Sequence, residues 1–250
     1  MVCIYSTFLQ RSFDQIFQEV ALQDLPVVFC VDRSGFVGAD GPTHHGVMDI
    51  GYLRMLPNLV LCAPANDVEM KRALEFALQH NHPVAIRYPK EAIPSPDLIP
   101  EACNTPFEVG RAVWVKDAKN TDLVIVSYGT MLTEAMKAER ILAGQGIDVG
   151  IVNGRFAAPV DRQIVDLLDK GQKIITIEDH QLACGFGSAV LELAAVSTTG
   201  NVRLGAIRSL GAPRAVVRHD LRHRQLIQAS LSADDIVKAA RQMLAVPLEV

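Results

Sequence analysis

The sequence lacks an excess of either charge and any long apolar run. Its 24 lysines and arginines nearly balance 28 acidic residues, giving a net charge of −4, whereas nucleic-acid-binding domains usually carry a basic surface. No run approaches the about 18 apolar residues that a membrane helix needs, and the N-terminal MVCIYSTFLQR does not resemble a signal peptide. We therefore expect a cytoplasmic protein with neither nucleic-acid nor membrane partners.

Cysteine is scarce, and several cofactor motifs are missing. The five cysteines are odd in number and scattered, without a C-x-x-C pair, so they predict neither a disulfide framework nor a zinc site. The chain has no G-x-x-x-x-G-K-[ST] phosphate loop and no G-x-S-x-G elbow. The G-F-G at 185–187 lacks the third glycine of the dinucleotide-binding motif. These absences exclude the commonest nucleotide-binding and hydrolase sites.

What the chain does contain is an alternation of short apolar runs and helical periods. PVVFCVD (26–32), NLVLCAP (58–64) and PVAIRYP (83–89) are typical of strands buried on both faces of a parallel sheet. We predict an α/β fold of two consecutive three-layer domains with mainly parallel sheets. The predicted domains span 1–92 and 118–250, joined by a proline-rich linker and an edge strand at 93–117.

Helix starts and the size of the first sheet give further expectations. Capping spacings predict helix N-termini at Ser12, Asn66 and Ser232. The first block offers only about three strands after the strand-like MVCIYS, and so small a parallel sheet leaves edges and faces uncovered. We therefore expect this block to lack its N-terminal part. Another chain would then supply that part, or a start codon misassigned at Met1 would explain its absence.

A glycine-rich loop follows the first buried strand, where ligands bind in open α/β sheets. It carries Asp32, Arg33, Asp40, His44 and His45. Its glycines permit close backbone approach to a ligand, a histidine transfers protons near neutral pH, and an arginine binds phosphate. The residues alone leave open an exposed turn with incidental histidines. A metal site is the minor interpretation, because neighbouring histidines rarely point the same way.

Three other segments carry candidate residues. Tyr5, Phe8 and Arg11 recur every third residue, so one helical turn would align them; core packing and solvent exposure remain the alternatives. Arg87 and Lys90 lie at the carboxyl end of a strand, where two cations can receive a phosphate. The basic stretch 214–224 is interpreted as a solvated surface, with an anion site as the alternative.

Five segments together resemble one family. They are YSTFLQR (5–11), DRSGFVGADGPTHHG (32–46), YLRMLPN (52–58), RYPK (87–90) and EDHQLACGFGSAVLE (178–192). In this order and spacing they resemble 1-deoxy-D-xylulose-5-phosphate synthases, thiamin-diphosphate enzymes of the transketolase superfamily. The resemblance implies most of a pyrimidine-binding domain followed by a transketolase C-terminal domain. It also implies a homodimer that condenses pyruvate, with loss of carbon dioxide, with glyceraldehyde 3-phosphate, for isoprenoid, thiamin and pyridoxal biosynthesis.

The resemblance also assigns residue roles. Phe8 would stack on the aminopyrimidine of the cofactor, with Tyr5 and Arg11 lining the same pocket. His44 would assist proton transfer at the substrate oxygen, and Asp40 would orient the substrate or that histidine.

Substrate phosphate would bind Arg33 and Lys90. Lys90 stands where the family has an arginine, and Glu91 stands where it has a glycine. Lysine keeps the charge but loses the two-pronged hydrogen bonding of a guanidinium.

Two elements of the family pattern are absent from these 250 residues. The glutamate that activates the cofactor belongs before the YSTFLQR segment, and Glu19 lies on its other side. The G-D-G…N element that holds Mg²⁺ and the diphosphate is absent as well. The resemblance therefore implies metal ligands in a missing N-terminal half or a separate subunit, and weak cofactor binding by this chain alone. Alternatives are a beta-type subunit of a 2-oxo acid dehydrogenase, and a non-catalytic interaction protein or truncated remnant.

Overall fold

The computed structural model describes residues 1–92, 94, 100–117, 121–197 and 206–245. Ten strands form two sheets: β1 Val2–Tyr5, β2 Val28–Asp32, β3 Val60–Cys62, β4 Val84–Arg87, β5 Val113–Lys116, β6 Leu123–Ser127, β7 Gly150–Asn153, β8 Phe156–Ala158, β9 Lys173–Gln181 and β10 Ile207–Ala212. The α-helices are α1 Ser6–Leu9, α2 Phe13–Gln15, α3 Asp49–Leu53, α4 Asp67–Gln79, α5 Leu132–Gly144, α6 Arg162–Asp169, α7 Phe186–Ser197, α8 Arg222–Gln228 and α9 Ala233–Leu244. Flanking helices on two mainly parallel sheets confirm the predicted fold class.

The first sheet has the strand order β1-β2-β4-β3-β8. Its first four strands are parallel, and β8 pairs antiparallel with β3 although it lies in the second half of the chain. The three strands expected after MVCIYS are β2, β3 and β4, and MVCIYS itself forms β1; the strand that was not predicted is β8, which covers the far edge. Strand β8 has only three residues, which are too few to show the side-chain alternation from which a strand could be predicted.

The second sheet has the order β10-β9-β6-β7-β5. Strand β5 lies at one edge of this sheet and pairs antiparallel with β7. The segment VRLGAI (202–207), whose apolar residues also favour a strand, lies mostly outside the described residues, and the observed β10 begins at Ile207. Within the described part of the chain, no helix has the length and apolar character to cross a membrane.

Two of the three predicted helix caps are present. Asn66 accepts a hydrogen bond from the backbone N–H of Glu69 at 2.7 Å, and Ser232 forms a reciprocal capping box with Asp235. The cap predicted at Ser12 was wrong. Ser12 lies inside an irregular helical segment that passes from α1 through a 3₁₀ turn and α2 into a π-helix at Ile16–Ala21, and its side chain caps nothing.

The core follows the alternation of side chains across each strand. In β6, Val124 and Val126 join a cluster continuous with the first sheet, whereas Leu123 and Ile125 pack toward α5 and α9. These four side chains are at most 1% exposed, and burying each contributes about 1.5–3 kcal/mol. The shared cluster joins the two sheets into one body and fixes the edge where the candidate site lies.

A buried ion pair also links the two halves of the chain. Arg155, from the turn between β7 and β8, donates to Glu69 of α4 at 2.7 Å, and both side chains are at most 1% exposed. The same guanidinium donates to the carbonyl oxygens of Cys103, Thr105 and Pro106. Residues 103–106 of the linker are therefore held, through their backbone carbonyl oxygens, by an arginine that is itself paired with the first domain.

Candidate functional site

The carboxyl ends of three neighbouring strands meet at one edge of the first sheet. Tyr5, Asp32 and Arg87 are the last residues of β1, β2 and β4. The glycine-rich loop leaves β2 at this edge and closes on itself, because Gly35 and Gly46 exchange backbone hydrogen bonds of 2.7 and 2.9 Å. Residues 32–46, called the catalytic loop below only because they carry the candidate residues Asp40 and His44, thus form a hairpin-like arch beside Tyr5.

An aromatic stack lies beside this arch. The rings of Tyr5 and Phe8 are stacked, with centroids 5.4 Å apart and planes 13° apart. His44 meets Phe8 edge-on, with ring centroids also 5.4 Å apart, and the Arg33 guanidinium lies 3.8 Å above the Tyr5 ring. Phe8 is 44% exposed. The stack therefore presents an open aromatic face next to an imidazole and a cation.

His44 is oriented by its neighbour. Its Nδ1 lies 2.9 Å from Thr43 Oγ1, and Thr7 Oγ1 donates to the Thr43 carbonyl oxygen at 3.1 Å. A hydroxyl group both donates and accepts, so Thr43 satisfies either imidazole tautomer. Nε2 is left to exchange a proton with a bound molecule.

Asp40 and Lys90, predicted as separate site residues, form an ion pair with a 2.7 Å contact. The Lys90 hydrogen bond lowers the pKa of the Asp40 carboxyl below its usual value, helped by the positive charges of Lys90 and Arg33. The Lys90 ammonium remains 46% exposed. This pair lies at the solvent side of the site, where an incoming anion can compete for the ammonium group.

Arg33 is held in a conformation unusual for a residue with a side chain. Its φ is +58°, in the left-handed region that most such residues avoid. Asp32 accepts a hydrogen bond from its backbone N–H at 2.6 Å and pairs with its guanidinium, while Arg33 Nε has no partner among the described residues. Arg11 is exposed on the following 3₁₀ turn, and among described residues no ring contact or ion pair joins it to the stack.

Arg87 is not available to bind a phosphate, so that interpretation of the strand end was wrong. Its side chain is 3% exposed and donates to Asp49 at 2.9 Å and Asp179 at 2.8 Å. It also donates to the Gly46 carbonyl oxygen at 3.1 Å. Burial disfavours charge on Asp179, but Arg87 and Arg222 hold the pKa of that carboxyl below its usual value. This buried triad fixes the end of the catalytic loop to both domains.

The two histidines of the loop point in different directions. His45 is buried, accepts from the Val37 backbone N–H at 3.3 Å and lies 3.1 Å from the Val217 carbonyl oxygen. Burial lowers the pKa of His45 below its usual value. No metal-binding group of three or more His, Cys, Asp or Glu side chains occurs within the described residues. The loop therefore carries one half-buried imidazole, His44, and one buried imidazole with a structural role, His45.

The second domain supplies contacts that the sequence did not predict. Gln225 forms two hydrogen bonds with the backbone of Gly38, at 2.9 and 3.0 Å. The ring of His219 lies so close to Gly41 that a Cβ there would be 2.2 Å from its Cδ2. Part of the basic stretch 214–224 therefore packs against the glycine-rich loop, so the stretch is not simply a solvated surface. The charged residues Arg87 and Asp179 inside apolar strands could have indicated buried pairs, because such side chains are seldom buried without a partner, but the sequence analysis did not use this signal. Nothing in the pattern indicated Gln225.

Comparisons with known proteins identify both halves of the chain. Residues 1–96 match the family profile "Transketolase, pyrimidine binding domain", and residues 112–236 match "Transketolase, C-terminal domain". The 1-deoxy-D-xylulose-5-phosphate synthase of Rhodopirellula baltica is 46% identical over 243 residues, which cover 97% of this chain and 37% of that protein. The 1-deoxy-D-xylulose-5-phosphate synthase 2 of Geobacter sulfurreducens is 39% identical, covering 97% and 38%. The chain thus spans little more than a third of these curated relatives.

Solved structures share the fold at lower identity. A structure described as "Split gene transketolase, inactive beta4 tetramer" superposes with a TM-score of 0.84 at 24% identity, covering 98% of this chain and 76% of that one. A transketolase from Campylobacter jejuni superposes with a TM-score of 0.74 at 15% identity, covering 96% and 35%. The chain therefore belongs to the transketolase family, of which it carries the pyrimidine binding domain and the C-terminal domain.

Proposed function

We propose that this chain provides the pyrimidine-binding and C-terminal domains of a 1-deoxy-D-xylulose-5-phosphate synthase. The activity joins pyruvate, after loss of carbon dioxide, to glyceraldehyde 3-phosphate, in the cytoplasm, for isoprenoid, thiamin and pyridoxal biosynthesis. The observation that carries the proposal is the Arg33–Tyr5–Phe8–His44 stack at the carboxyl edge of the first sheet. Relatives that are 46% and 39% identical over 97% of the chain bear this name.

The residues present fit one part of thiamin diphosphate. A flat aminopyrimidine stacks favourably on an aromatic face, and Phe8 offers a face that is 44% exposed. In this proposal, Arg11 and Tyr5 line the same aminopyrimidine pocket as Phe8. When bound, the cofactor would supply a carbon nucleophile for the decarboxylation and the carboligation. Among the described residues, no group of three or more His, Cys, Asp or Glu side chains could hold Mg²⁺. We therefore assign the metal and diphosphate contacts to another segment of the enzyme.

The chain's own residues then act on the substrates. His44 Nε2 transfers a proton at the substrate oxygen, because its Nδ1 is already occupied by Thr43. Asp40, held ionised by Lys90, orients the acceptor through its hydroxyl groups. Arg33, whose side chain is 22% exposed, and Lys90, which is 46% exposed, bind the acceptor phosphate.

We infer that the 250 residues alone do not turn over substrate. The resemblance places the activating glutamate and the diphosphate anchor outside them, and the similarly folded split-gene transketolase is described as an inactive β4 tetramer. Activity therefore needs an N-terminal half, in the same polypeptide or as a separate subunit, and the active enzyme is proposed to be a homodimer.

Complementation tests the proposal. The purified chain is mixed with the N-terminal 60% or so of the Rhodopirellula baltica synthase, the part that the match leaves uncovered. Thiamin diphosphate, Mg²⁺, pyruvate and glyceraldehyde 3-phosphate are then supplied. We expect carbon dioxide release and the pentulose phosphate only in the mixture, and loss of both with His44→Ala. Formation of a complex without carboligation, or acyl transfer to a lipoyl domain instead, would overturn the assignment.

A further inference from the structure

The turn that carries Asp40 is rich in glycine and needs restraint from outside. Gly38 and Gly41 both have positive φ, at +65° and +72°. Within the turn the backbone is held by a 3.2 Å hydrogen bond from Gly41 to Gly38, followed by one of 3.0 Å from His44 to Gly41. Glycine loses more conformational entropy on ordering than any other residue. So sparse an internal network does not by itself fix one conformation.

Gln225, at the second turn of α8, supplies that restraint from 187 residues away. Its Oε1 accepts from the Gly38 N–H at 2.9 Å, and its Nε2 donates to the Gly38 carbonyl oxygen at 3.0 Å. The same Nε2 donates to the Arg218 carbonyl oxygen at 2.9 Å. Gln225 is 0% exposed. Its carboxamide thus pairs with both polar groups of one glycine, in the way that a neighbouring strand would.

Two further contacts come from the same short segment. The His219 ring covers the Cα of Gly41, and the Val217 carbonyl oxygen lies 3.1 Å from Nε2 of His45. The segment 217–225 therefore contacts the catalytic loop before, between and after its two candidate acid–base residues. Displacement at Gly38 or Gly41 is transmitted to the Asp40 side chain, because Asp40 lies between these two glycines.

We propose that Gln225 is a positioning residue through which the C-terminal domain sets the geometry of Asp40 and His44. This role rests on the proposed function, since it places these side chains for carboligation. It gives the C-terminal domain a part in the reaction although that domain contributes no side chain to the aromatic stack. A misplacement of about 1 Å costs about a hundredfold in rate at a well-ordered site, so weakening the clamp lowers turnover without removing any reacting group.

The test begins with a measurement that needs no activity. Gln225→Leu keeps the side-chain volume but removes all three hydrogen bonds. The matched control is Gln228→Leu on the same helix, which removes one exposed hydrogen bond to Asp220. We expect amide hydrogen exchange of residues 33–46 to quicken about tenfold or more in Gln225→Leu, from the loss of two neutral hydrogen bonds to the loop. Exchange in β6 and β9 should stay as in the control.

The second measurement uses the complemented enzyme. Gln225→Leu is expected to lower kcat about ten- to a hundredfold while leaving thiamin diphosphate affinity within about twofold, because Tyr5 and Phe8 are untouched. Gln225→Glu provides the rescue arm: its ionised form repels the two carbonyl oxygens, whereas its protonated form donates one of the two hydrogen bonds that the amide group donates. Its kcat, relative to the native chain, should therefore recover as the pH falls.

The outcomes separate the two proposals. No carboligation by the native chain would defeat the proposed function, and the exchange measurement would still report on the clamp. Unchanged exchange of the loop in Gln225→Leu would overturn the positioning role. Quickened exchange with an unchanged kcat would also overturn it, by showing that the clamp serves only folding.

Discussion

Replacing Arg87 by methionine tests whether the buried triad supports the fold and the site. The side chains of Arg87, Asp49 and Asp179 are 3%, 0% and 3% exposed. The substitution removes two ion pairs and the hydrogen bond to the Gly46 carbonyl oxygen. Removing one partner of a buried pair costs about 3–5 kcal/mol, because it leaves an uncompensated buried charge. Since domains are stable by about 5–15 kcal/mol, we expect a large fraction of the stability to be lost at pH 7.5.

The loss should depend on pH in a stated direction. In the native chain the pKa of Asp179 is held low, so its stabilising contribution is complete above about pH 4, the usual value for an unfolded chain, and is lost only below that. Without Arg87, a buried carboxyl retains a proton that the unfolded chain releases, so the stability of the variant falls as the pH rises. The deficit of Arg87→Met is therefore expected to be smaller at pH 5 than at pH 7.5.

Urea unfolding measures both effects. Circular dichroism reports on the whole fold, and the single tryptophan, Trp114, reports on the second sheet. The matched control is Arg72→Met, whose pair with Glu75 on α4 is exposed and should contribute less than about 0.5 kcal/mol. A deficit for Arg87→Met below about 1 kcal/mol at pH 7.5, or one that grows toward pH 5, would refute the reasoning.

Three further substitutions, one of them with a matched control at Gly146, probe the loop and the stack. Gly41→Ala should destabilise the chain by more than about 2 kcal/mol in urea unfolding, because its φ of +72° and ψ of −163° lie in a region that only glycine adopts readily and a histidine ring occupies the Cβ position. Gly146→Ala, with φ +75° and open space around it, should cost only about 1 kcal/mol. Phe8→Leu keeps the site apolar but removes the flat face, so thiamin diphosphate binding to the complemented enzyme should weaken about three- to tenfold by calorimetry, and unchanged affinity would contradict the stacking role. Lys90→Met removes the hydrogen bond that lowers the pKa of Asp40, so that pKa should rise toward its ordinary value in a carboxyl-carbon NMR titration.

The local elements could be predicted because each depends on a short stretch of sequence. The strands β2, β3 and β4 are continuous apolar runs between polar segments. They are buried on both faces of the sheet, so their sequences are apolar throughout and do not alternate between apolar and polar residues. The cap at Asn66 needs only a side chain three residues from its partner. The irregular helix from Ser6 onward could not be predicted this way, since its helical period was assigned to a regular helix with a cap at Ser12.

Contacts between distant segments were beyond such reasoning. Strand β8 is defined by pairing with β3, about 95 residues earlier in sequence, and its own three residues carry no period. Gln225 looks like any polar residue on a helix surface, yet it is fully buried against Gly38. Tyr5 and Phe8 could be paired in advance, because three-residue spacing aligns neighbouring side chains over one turn.

Arg33 follows the last residue of β2, and Arg87 is the last residue of β4. The two guanidinium groups differ in how many partners surround them, and this difference decides which of them is available to a ligand. Arg87 lies between two buried carboxylates and is saturated with hydrogen bonds, so binding an outside anion would require exposing those carboxylates uncompensated. Arg33 has one carboxylate partner within the described structure and lies over an aromatic ring, and its side chain is 22% exposed. Lys90 is more exposed still, but its charge is matched by Asp40. Under the proposed function, an anionic substrate would meet the part-exposed Arg33 guanidinium, and could use Lys90 only by displacing Asp40. That exchange would free the Asp40 carboxylate for the substrate hydroxyl groups at the moment the phosphate binds, which couples phosphate recognition to the orientation of the reacting end.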